Sequence, residues 1–181
     1  MEEEVKISSH ILSEHRVKYV IIGGIAVLNW GDPRTTRDVD IVITLFPSHL
    51  EAVIEDFIKC GFTARKDTVK RLRQGLAVKL KHGIYSVDLR LSSFTLDKQA
   101  IRRARYIKFA RVRIPIASKE DLIVYKLANF DFKDKADIEG VIRRQRRIDF
   151  DYIAKSTRQL SAEARRPEML ANLSEILSWR R

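Results

Sequence analysis

The chain has 181 residues, of which 45% are hydrophobic and 33% charged, and its formal net charge is +11. A chain of this length can bury a core without disulfides or a structural metal. Its single cysteine, Cys60, excludes an intramolecular disulfide and a multi-cysteine metal site. The basic excess favours polyanionic partners such as nucleic acid or a nucleotide, and a generally solvated basic surface is the alternative.

The N-terminal segment gives no indication of export or membrane insertion. Its residues, MEEEVKISSHIL, are acidic and lack the basic and apolar regions of a signal peptide. The longest apolar run, at residues 19–28, is too short to cross a bilayer. These observations predict a cytoplasmic protein with no membrane partner.

Helix and strand patterns alternate through the first 61 residues. The N-terminal segment suits an amphipathic helix, and KYVII is a β-branched strand that ends at a glycine pair. IAVLNW predicts a helix that ends before Pro33, and DVDIVIT is the second strand. Ser48 and Glu51 have the spacing of a capping box, which predicts a further helix that Gly61 ends.

The rest of the chain changes from mixed to helical patterning. LAVKL and IYSVDLRL predict two strands joined by the break KHG, followed by a basic helix, LDKQAIRRARYI, and a strand, RVRIPI. Ser118 and Asp121 again have capping-box spacing, and helical patterning continues from there apart from a break at residues 165–167. The sequence therefore predicts an α/β fold of the α+β type with a mixed sheet, in which residues 1–117 form the core and residues 118–181 a helical C-terminal region.

Three aspartates in the first half are candidates for metal chemistry. Side chains of a strand alternate between its faces, so Asp38 and Asp40 project to the same side. Two carboxylates roughly 5 to 7 Å apart along a strand repel each other unless a cation lies between them, and Mg²⁺ prefers oxygen ligands. Asp88 completes a two-metal site if its strand, IYSVDLRL, lies beside DVDIVIT.

A structural role for each aspartate is the alternative. In that interpretation Asp38 caps the start of its strand, while the other two acids pair with arginines: Asp40 with Arg34 or Arg37, and Asp88 with Arg90. The preceding glycine pair favours the functional interpretation, because a strand-to-helix turn exposes backbone N–H groups and a helix N-terminus that suit a phosphate. An anion site and a metal site then lie within one short segment.

Residues 19–42 resemble a known superfamily. Their pattern is an apolar strand, Gly-Gly, a helix, and then Arg34-x-Thr36-x-Asp38-x-Asp40. It resembles the nucleotidyltransferase superfamily of DNA polymerase β and, more narrowly, the stand-alone prokaryotic members related to AbiEii toxins. The resemblance implies a nucleotidyltransferase-like catalytic domain. Its catalytic carboxylates, which are also its metal ligands, are Asp38, Asp40 and Asp88, and its cofactor is a pair of Mg²⁺ ions, with Mn²⁺ as a substitute.

The resemblance also implies a set of nucleotide-binding residues, which are Gly23, Gly24, Arg34, Thr36 and Lys126. The glycines match the phosphate-holding turn, and Lys126 matches a lysine that reaches the triphosphate, with Asp134 as an acid of the same segment. Many family members have serine where this chain has Gly24, which offers only its backbone. The alternatives are that Arg34 and Thr36 position the loop before the strand and that Lys126 is a solvated helix residue.

These assignments predict a metal-dependent transfer of a nucleoside monophosphate from a nucleoside triphosphate to an acceptor hydroxyl. The acceptor is RNA such as tRNA, a protein, or a small molecule such as an aminoglycoside, and the setting is a toxin–antitoxin or abortive-infection system with a partner protein. A non-catalytic nucleotide- or RNA-binding module, or an antitoxin-like one, is the alternative, against which the intact acid triad argues. Arg102, Arg103 and Arg105 predict a cationic surface that attracts RNA, with a solvated face or an acidic partner protein as alternatives.

Overall fold

A computed structural model describes residues 1–179 of the chain. The elements of the first half of the chain are α1 (Glu2–Glu14), β1 (Lys18–Ile22), α2 (Gly23–Trp30), β2 (Asp38–Thr44), a 3₁₀ turn (Pro47–His49), α3 (Leu50–Lys59), α4 (Thr68–Arg73), β3 (Val78–His82) and β4 (Tyr85–Leu91). They are followed by α5 (Thr95–Arg103), β5 (Arg105–Phe109), β6 (Val112–Ile116), α6 (Lys119–Asn129), α7 (Phe132–Arg144), α8 (Phe150–Ala164) and α9 (Glu168–Ser178).

The strands form one six-stranded sheet in the order β3-β4-β2-β1-β6-β5. The pairs β2–β4 and β1–β6 are parallel, and the remaining neighbours are antiparallel. The sheet is therefore mixed, and four helices follow it in the chain, which confirms the predicted fold class. The division of the chain after residue 117 stays a prediction. The last two residues of the predicted C-terminal region, 180–181, lie outside the described part of the chain.

The two faces of the sheet have different environments. On β2, Val39, Ile41 and Ile43 are buried in the main core, which also contains Phe57 of α3. The opposite face bears Asp38 and Asp40 near the start of the strand, while Val42 beyond them packs in a smaller apolar cluster with residues of β1 and α5. The polar end of this second face is where the candidate site lies.

Several local predictions need correction. The basic segment is helical only to Arg103, and its last residues, RYI, belong to β5 because Ala104 is extended (φ −50°, ψ 138°). Ser48 and Glu51 form no capping box: a 3₁₀ turn precedes α3, which has no side-chain cap. The Ser118 cap is confirmed, since its hydroxyl accepts from the backbone N–H of Asp121 at 3.1 Å.

Other local features were not foreseen from the sequence. Helix α4 has no counterpart among the predicted elements. The position of Cys60 next to Gly61, at the end of an amphipathic stretch, predicts a buried helix-end residue, but Cys60 is exposed. No helix within residues 1–179 combines the length and apolar character needed to span a membrane.

Candidate active site

The sheet register brings the three aspartates onto neighbouring strands. Asp40 of β2 pairs with Asp88 of the parallel strand β4, and Asp38 pairs with Ser86. Residues that pair in register project to the same face of a sheet. The expected placement of IYSVDLRL beside DVDIVIT is therefore confirmed, and Asp38, Asp40 and Asp88 share one face.

The glycine turn between β1 and α2 packs directly against Asp40. Gly23 has a φ of +62°, and a Cβ atom there would lie 1.9 Å from Oδ2 of Asp40. A Cβ atom on Gly24 would lie 2.5 Å from Oγ1 of Thr36. Both positions therefore exclude a side chain, for different reasons. The close approach also lets the backbone N–H of Gly24 donate a hydrogen bond to the Asp40 carboxylate.

Lys79, on the edge strand β3, supplies a cation between two of the acids. Its Nζ lies 2.9 Å from Oδ1 of Asp38 and 3.1 Å from Oδ1 of Asp88. It also donates to the Ser86 hydroxyl at 3.1 Å, and that hydroxyl donates to Asp38 at 2.5 Å. Asp40 differs from its neighbours, because no lysine or arginine within residues 1–179 forms an ion pair with it.

The electrostatic environment separates the three carboxyl groups. Burial, together with the charges of Asp88 and Asp38, raises the pKa of Asp40 to about 6. Burial also raises the pKa of Asp88, although Lys79 opposes the shift. Hydrogen bonds from Ser86 and Lys79 lower the pKa of Asp38. The negative charges of Asp40 and Asp88 are therefore only partly compensated by the surrounding protein. Carboxylates that ligate a divalent cation must be ionised, and a bound cation would supply the missing positive charge.

These residues fit a divalent cation in donor chemistry, since all are carboxylates and the buried Oδ1 of Asp88 contacts the ammonium group of Lys79, 3.1 Å away, as a metal ligand contacts a cation. Their present arrangement is not a closed coordination shell. Over residues 1–179, no three or more His, Cys, Asp or Glu side chains are placed closely enough to hold a metal ion. Binding of an ion thus requires the carboxylates to turn toward one another and the Lys79 ammonium to move away.

A second charged network lies on the other side of the glycine turn. Arg34 forms a bidentate pair with Asp137 of α7, with Nε–Oδ1 and Nη2–Oδ2 distances of 2.7 and 2.8 Å. Lys126 of α6 lies 2.6 Å from Asp137 and 2.8 Å from Asp134. The side chain of Lys126 is only 8% exposed, so its interpretation as a solvated helix residue is wrong.

The arginine pairings proposed as structural alternatives for the acids are also wrong. Arg34 pairs with Asp137 rather than Asp40, and Arg90 pairs with Asp97, with two nitrogen–oxygen distances of 2.7 and 2.8 Å. Within residues 1–179, Asp88 therefore has no arginine partner. The partner it does have, Lys79, lies across the β3–β4 hairpin.

One polar cleft of about 280 Å³ joins these parts. Its walls include every proposed nucleotide-binding residue together with two of the acids, which are Gly23, Gly24, Arg34, Thr36, Lys126, Asp38 and Asp40. Asp134 and Lys133 also line it, whereas Asp88 does not and lies beyond Asp40 on the next strand. The structure thus brings the proposed residues together around one cleft, with Asp88 at its margin.

Three charged residues of this region, Asp137, Lys133 and Lys79, are not among the predicted site residues. Asp137 and Lys133 gave no signal, because their positions depend on how α7 packs against the sheet. Lys79 could have been found: Gly83 and Ile84 form a two-residue turn, and counting back from it pairs Lys79 with Asp88. The prediction of KHG as a break outside both strands is wrong, because Lys81 and His82 belong to β3.

Comparisons with known proteins agree with this geometry. Residues 3–175 match a family described as "Nucleotidyltransferase of unknown function (DUF6036)". No curated protein sequence matches the chain significantly.

Among solved structures, the lincomycin-bound lincosamide antibiotic adenylyltransferase LnuA is 19% identical, with a TM-score of 0.57, and the match covers 80% of this chain and 98% of LnuA. A solution structure of the antibiotic-resistance factor ANT(2'')-Ia is 13% identical, with a TM-score of 0.56 and coverage of 98% and 91%. A nucleotidyltransferase-like protein from Paracoccidioides brasiliensis is 19% identical, with a TM-score of 0.52 and coverage of 96% and 92%. At these identities the likeness establishes a shared fold.

Proposed function

The chain belongs to this nucleotidyltransferase family, and from that premise we propose that it transfers a nucleoside monophosphate from a nucleoside triphosphate to an acceptor hydroxyl with the help of divalent cations. The observation that carries the proposal is the in-register pair of Asp40 and Asp88, with Asp38 on the same face, beside a glycine turn that can accept no side chain. Neither a salt bridge nor a strand cap requires that combination.

The reaction requires one bond to form and one to break. The acceptor oxygen bonds to the α-phosphorus, the bond from that phosphorus to the bridging oxygen breaks, and pyrophosphate leaves with the electron pair. The hydroxyl proton passes to Asp88, whose pKa is raised by burial and whose Oδ1 becomes free to accept it when the Lys79 ammonium moves away. Divalent ions held by Asp38, Asp40 and Asp88 would supply charge stabilisation on the phosphate oxygens.

The polar cleft supports the placement of the nucleotide. Positive groups that line it are Lys126, Lys133 and Arg34, and the N-terminus of α2 opens at the glycine turn. Backbone N–H groups at a helix N-terminus and lysine side chains are the usual partners of phosphate oxygens. Arg34 and Lys126 already form ion pairs with acids of α7. We therefore assign them mainly a structural role, in which they fix the position of α7 at the cleft, and in addition a contact with the triphosphate.

The proposal extends to finer points that rest on the resemblance of the motif. These are magnesium as the preferred ion, with two ions per site and manganese as a substitute, and a place among the AbiEii-related members with a toxin-like role. The similar antibiotic adenylyltransferases supply small molecules as an acceptor class beside RNA and protein. A non-catalytic module is disfavoured because none of the three carboxylates has been lost.

The test separates nucleotide binding from transfer. Transfer of an α-labelled nucleotide to components of a cell extract should require a divalent ion and be absent in Asp38→Ala. Asp88→Asn keeps the size of the side chain but loses its basicity, so we expect nucleotide affinity in calcium within several-fold of wild type and a single-turnover rate in magnesium about 100-fold lower. Asp40→Asn should lose both binding and transfer.

Asp151→Asn is the matched control, because Asp151 is an exposed aspartate of α8 far along the chain from the cleft. It should behave as wild type in both measurements. Full transfer by Asp38→Ala, or normal turnover by Asp88→Asn, contradicts the proposed roles of these acids.

A further inference from the structure

A second cleft adjoins the row of acids and differs from the first in chemistry. It has a volume of about 440 Å³ and lies between the sheet, α6 and the two last helices. Most of its walls are apolar or aromatic side chains, among them Ile22, Phe94, Tyr125, Leu160 and Met169. This size lies in the range of pockets that enclose small organic ligands.

The register of the sheet places this second cleft next to the acids. Ile22 is the residue of β1 that pairs with Asp40, and it lines both clefts, as does Tyr125 of α6. Arg90, also in the wall, follows Asp88 by two residues on the same face of β4. Two residues along a strand span about 7 Å. A molecule in the second cleft therefore lies one side-chain row from Asp88.

The positive charges of the second cleft are already paired within the protein. Arg90 binds Asp97 through two nitrogen atoms, and the Tyr125 hydroxyl donates to the same carboxylate at 2.8 Å. Arg166 lies 2.8 Å from Glu168. Asp97 is fully buried in this network, so neither it nor Arg90 is available to a ligand without loss of a buried pair. The remaining wall is apolar and matches neither a polyanion nor a polycation.

We propose that the second cleft holds the apolar body of a small hydroxylated acceptor and presents its hydroxyl to Asp88. This inference rests on the proposed function, since it assigns the acceptor side of the same site. Among the three acceptor classes, RNA, protein and small molecule, it selects the small molecule. Within that class it selects a compact molecule of low charge rather than a polycationic aminosugar. The nucleotide in the polar cleft and the acceptor in the apolar cleft then meet at Ile22 and Asp40.

The first test measures occupancy without needing the natural acceptor. N-phenyl-1-naphthylamine is uncharged and fluoresces more strongly in apolar surroundings, so it is a suitable probe for the intact protein. We expect it to bind, to be displaced by octyl glucoside below its micelle concentration, and to be unaffected by a single-stranded oligoribonucleotide. It should also bind with at most a few-fold change when the polar cleft is filled with nucleotide and calcium.

The variants fill the cleft without touching the acids. Ala164→Trp places a large side chain at a wall residue, and Ala128→Phe does so from α6. Each should weaken probe binding at least tenfold, while calcium-nucleotide affinity stays within a few-fold of wild type. Ala162→Trp, on the exposed side of the same helix as Ala164, is the matched control. Thermal melting identifies a variant that has failed to fold, and the other variant then decides the test.

The outcomes distinguish this inference from the proposed function. If Ala164→Trp and Ala128→Phe both fold and bind the probe as wild type does, the proposal that the second cleft binds the acceptor is wrong. Displacement of the probe by the oligoribonucleotide, or competition between probe and nucleotide, contradicts it as well. Nucleotide binding and transfer that survive in those cases leave the proposed function standing. Absence of divalent-dependent nucleotide binding in wild type overturns the proposed function itself, whatever the probe does.

Discussion

Lys79 is the residue whose position most affects how the acid cluster handles cations. Its ammonium group sits within 3.1 Å of both Asp38 and Asp88, although 45% of its side chain is exposed. It therefore offsets part of the repulsion among the carboxylates in the metal-free protein. A divalent ion bound by the same oxygens must displace it, because two cations cannot share those contacts.

Removing the Lys79 charge should therefore strengthen metal binding. We expect Lys79→Met to bind Mn²⁺ about tenfold more tightly, which corresponds to the loss of two partly exposed ion pairs. Titration followed by electron paramagnetic resonance measures this directly. Lys81→Met removes the same charge from the same strand, two residues away, and should leave the affinity unchanged. Equal effects of the two variants would show that only net charge matters.

Asp40 gives a pH dependence of stability with a defined sign. Its pKa of about 6 in the folded protein lies above the ordinary value of 3.8, so the folded state binds this proton more tightly than the unfolded state. The stabilisation is complete below pH 4 and is lost as the pH rises through 6, on the order of 3 kcal/mol. In chelator, wild type should therefore lose stability across this window relative to Asp40→Asn, as measured by urea unfolding.

The comparison with Asp40→Asn isolates this one carboxyl group from the rest of the chain. Above pH 6 the asparagine variant should be at least as stable as wild type without metal. A clear loss of stability in the variant at pH 7 would instead mean that the Asp40 carboxylate has a structural partner.

Among the secondary-structure elements, the sequence predicts correctly those whose formation depends on residues close together in the chain. The alternation in DVDIVIT and the cap at Ser118 gave β2 and α6 correctly, because each signal depends on residues within one element. The failures lie where tertiary packing decides. RYI continues a helical composition but pairs with β6, and Arg34 finds a partner, Asp137, 103 residues away. No periodicity in the sequence encodes such contacts.

The glycine turn shows the same limit and allows a test. The sequence indicated a phosphate turn at Gly24 but not the reason for glycine, which is Thr36, twelve residues later. A Cβ at position 24 would meet both Oγ1 and Cβ of Thr36, at 2.5 and 2.8 Å. Gly24→Ala should therefore lower the free energy of unfolding by about 1–3 kcal/mol.

A double-mutant cycle checks this cause. In a Thr36→Gly background the alanine has no opposing side chain, and most of its cost should disappear. An unchanged cost would place the strain in the backbone of α2 instead of at Thr36.

For the whole molecule, the net charge of +11 does not form one uniform surface. The three arginines expected to form a cationic face, Arg102, Arg103 and Arg105, are all exposed, but Arg103 differs from the other two in its contacts. Arg103 is held by Asp121 and Glu120, at 3.4 and 3.7 Å, and its guanidinium lies 4.0 Å from the ring centroid of Tyr152. It joins α5 to α6 and α8, so its main role in the structure is to connect helices.

These positions predict different effects on RNA binding and on stability. Replacing Arg102 and Arg105 by Gln should lower the slope of log affinity for single-stranded RNA against log salt by about 1.4, at roughly 0.7 for each RNA phosphate that is no longer neutralised. The unfolding free energy should stay within about 0.5 kcal/mol of wild type. Arg103→Gln should do the reverse, with a loss on the order of 1 kcal/mol and a small change in slope.

Transfer to a small acceptor decides whether the basic surface belongs to catalysis. Arg102 and Arg105 line neither cleft, so the double variant should transfer label to a small hydroxylated acceptor at the wild-type rate. If the same variant loses transfer in proportion to RNA affinity, the reaction uses RNA as its acceptor. The cationic face would then be part of the working site, and the apolar cleft beside Asp88 would need another occupant.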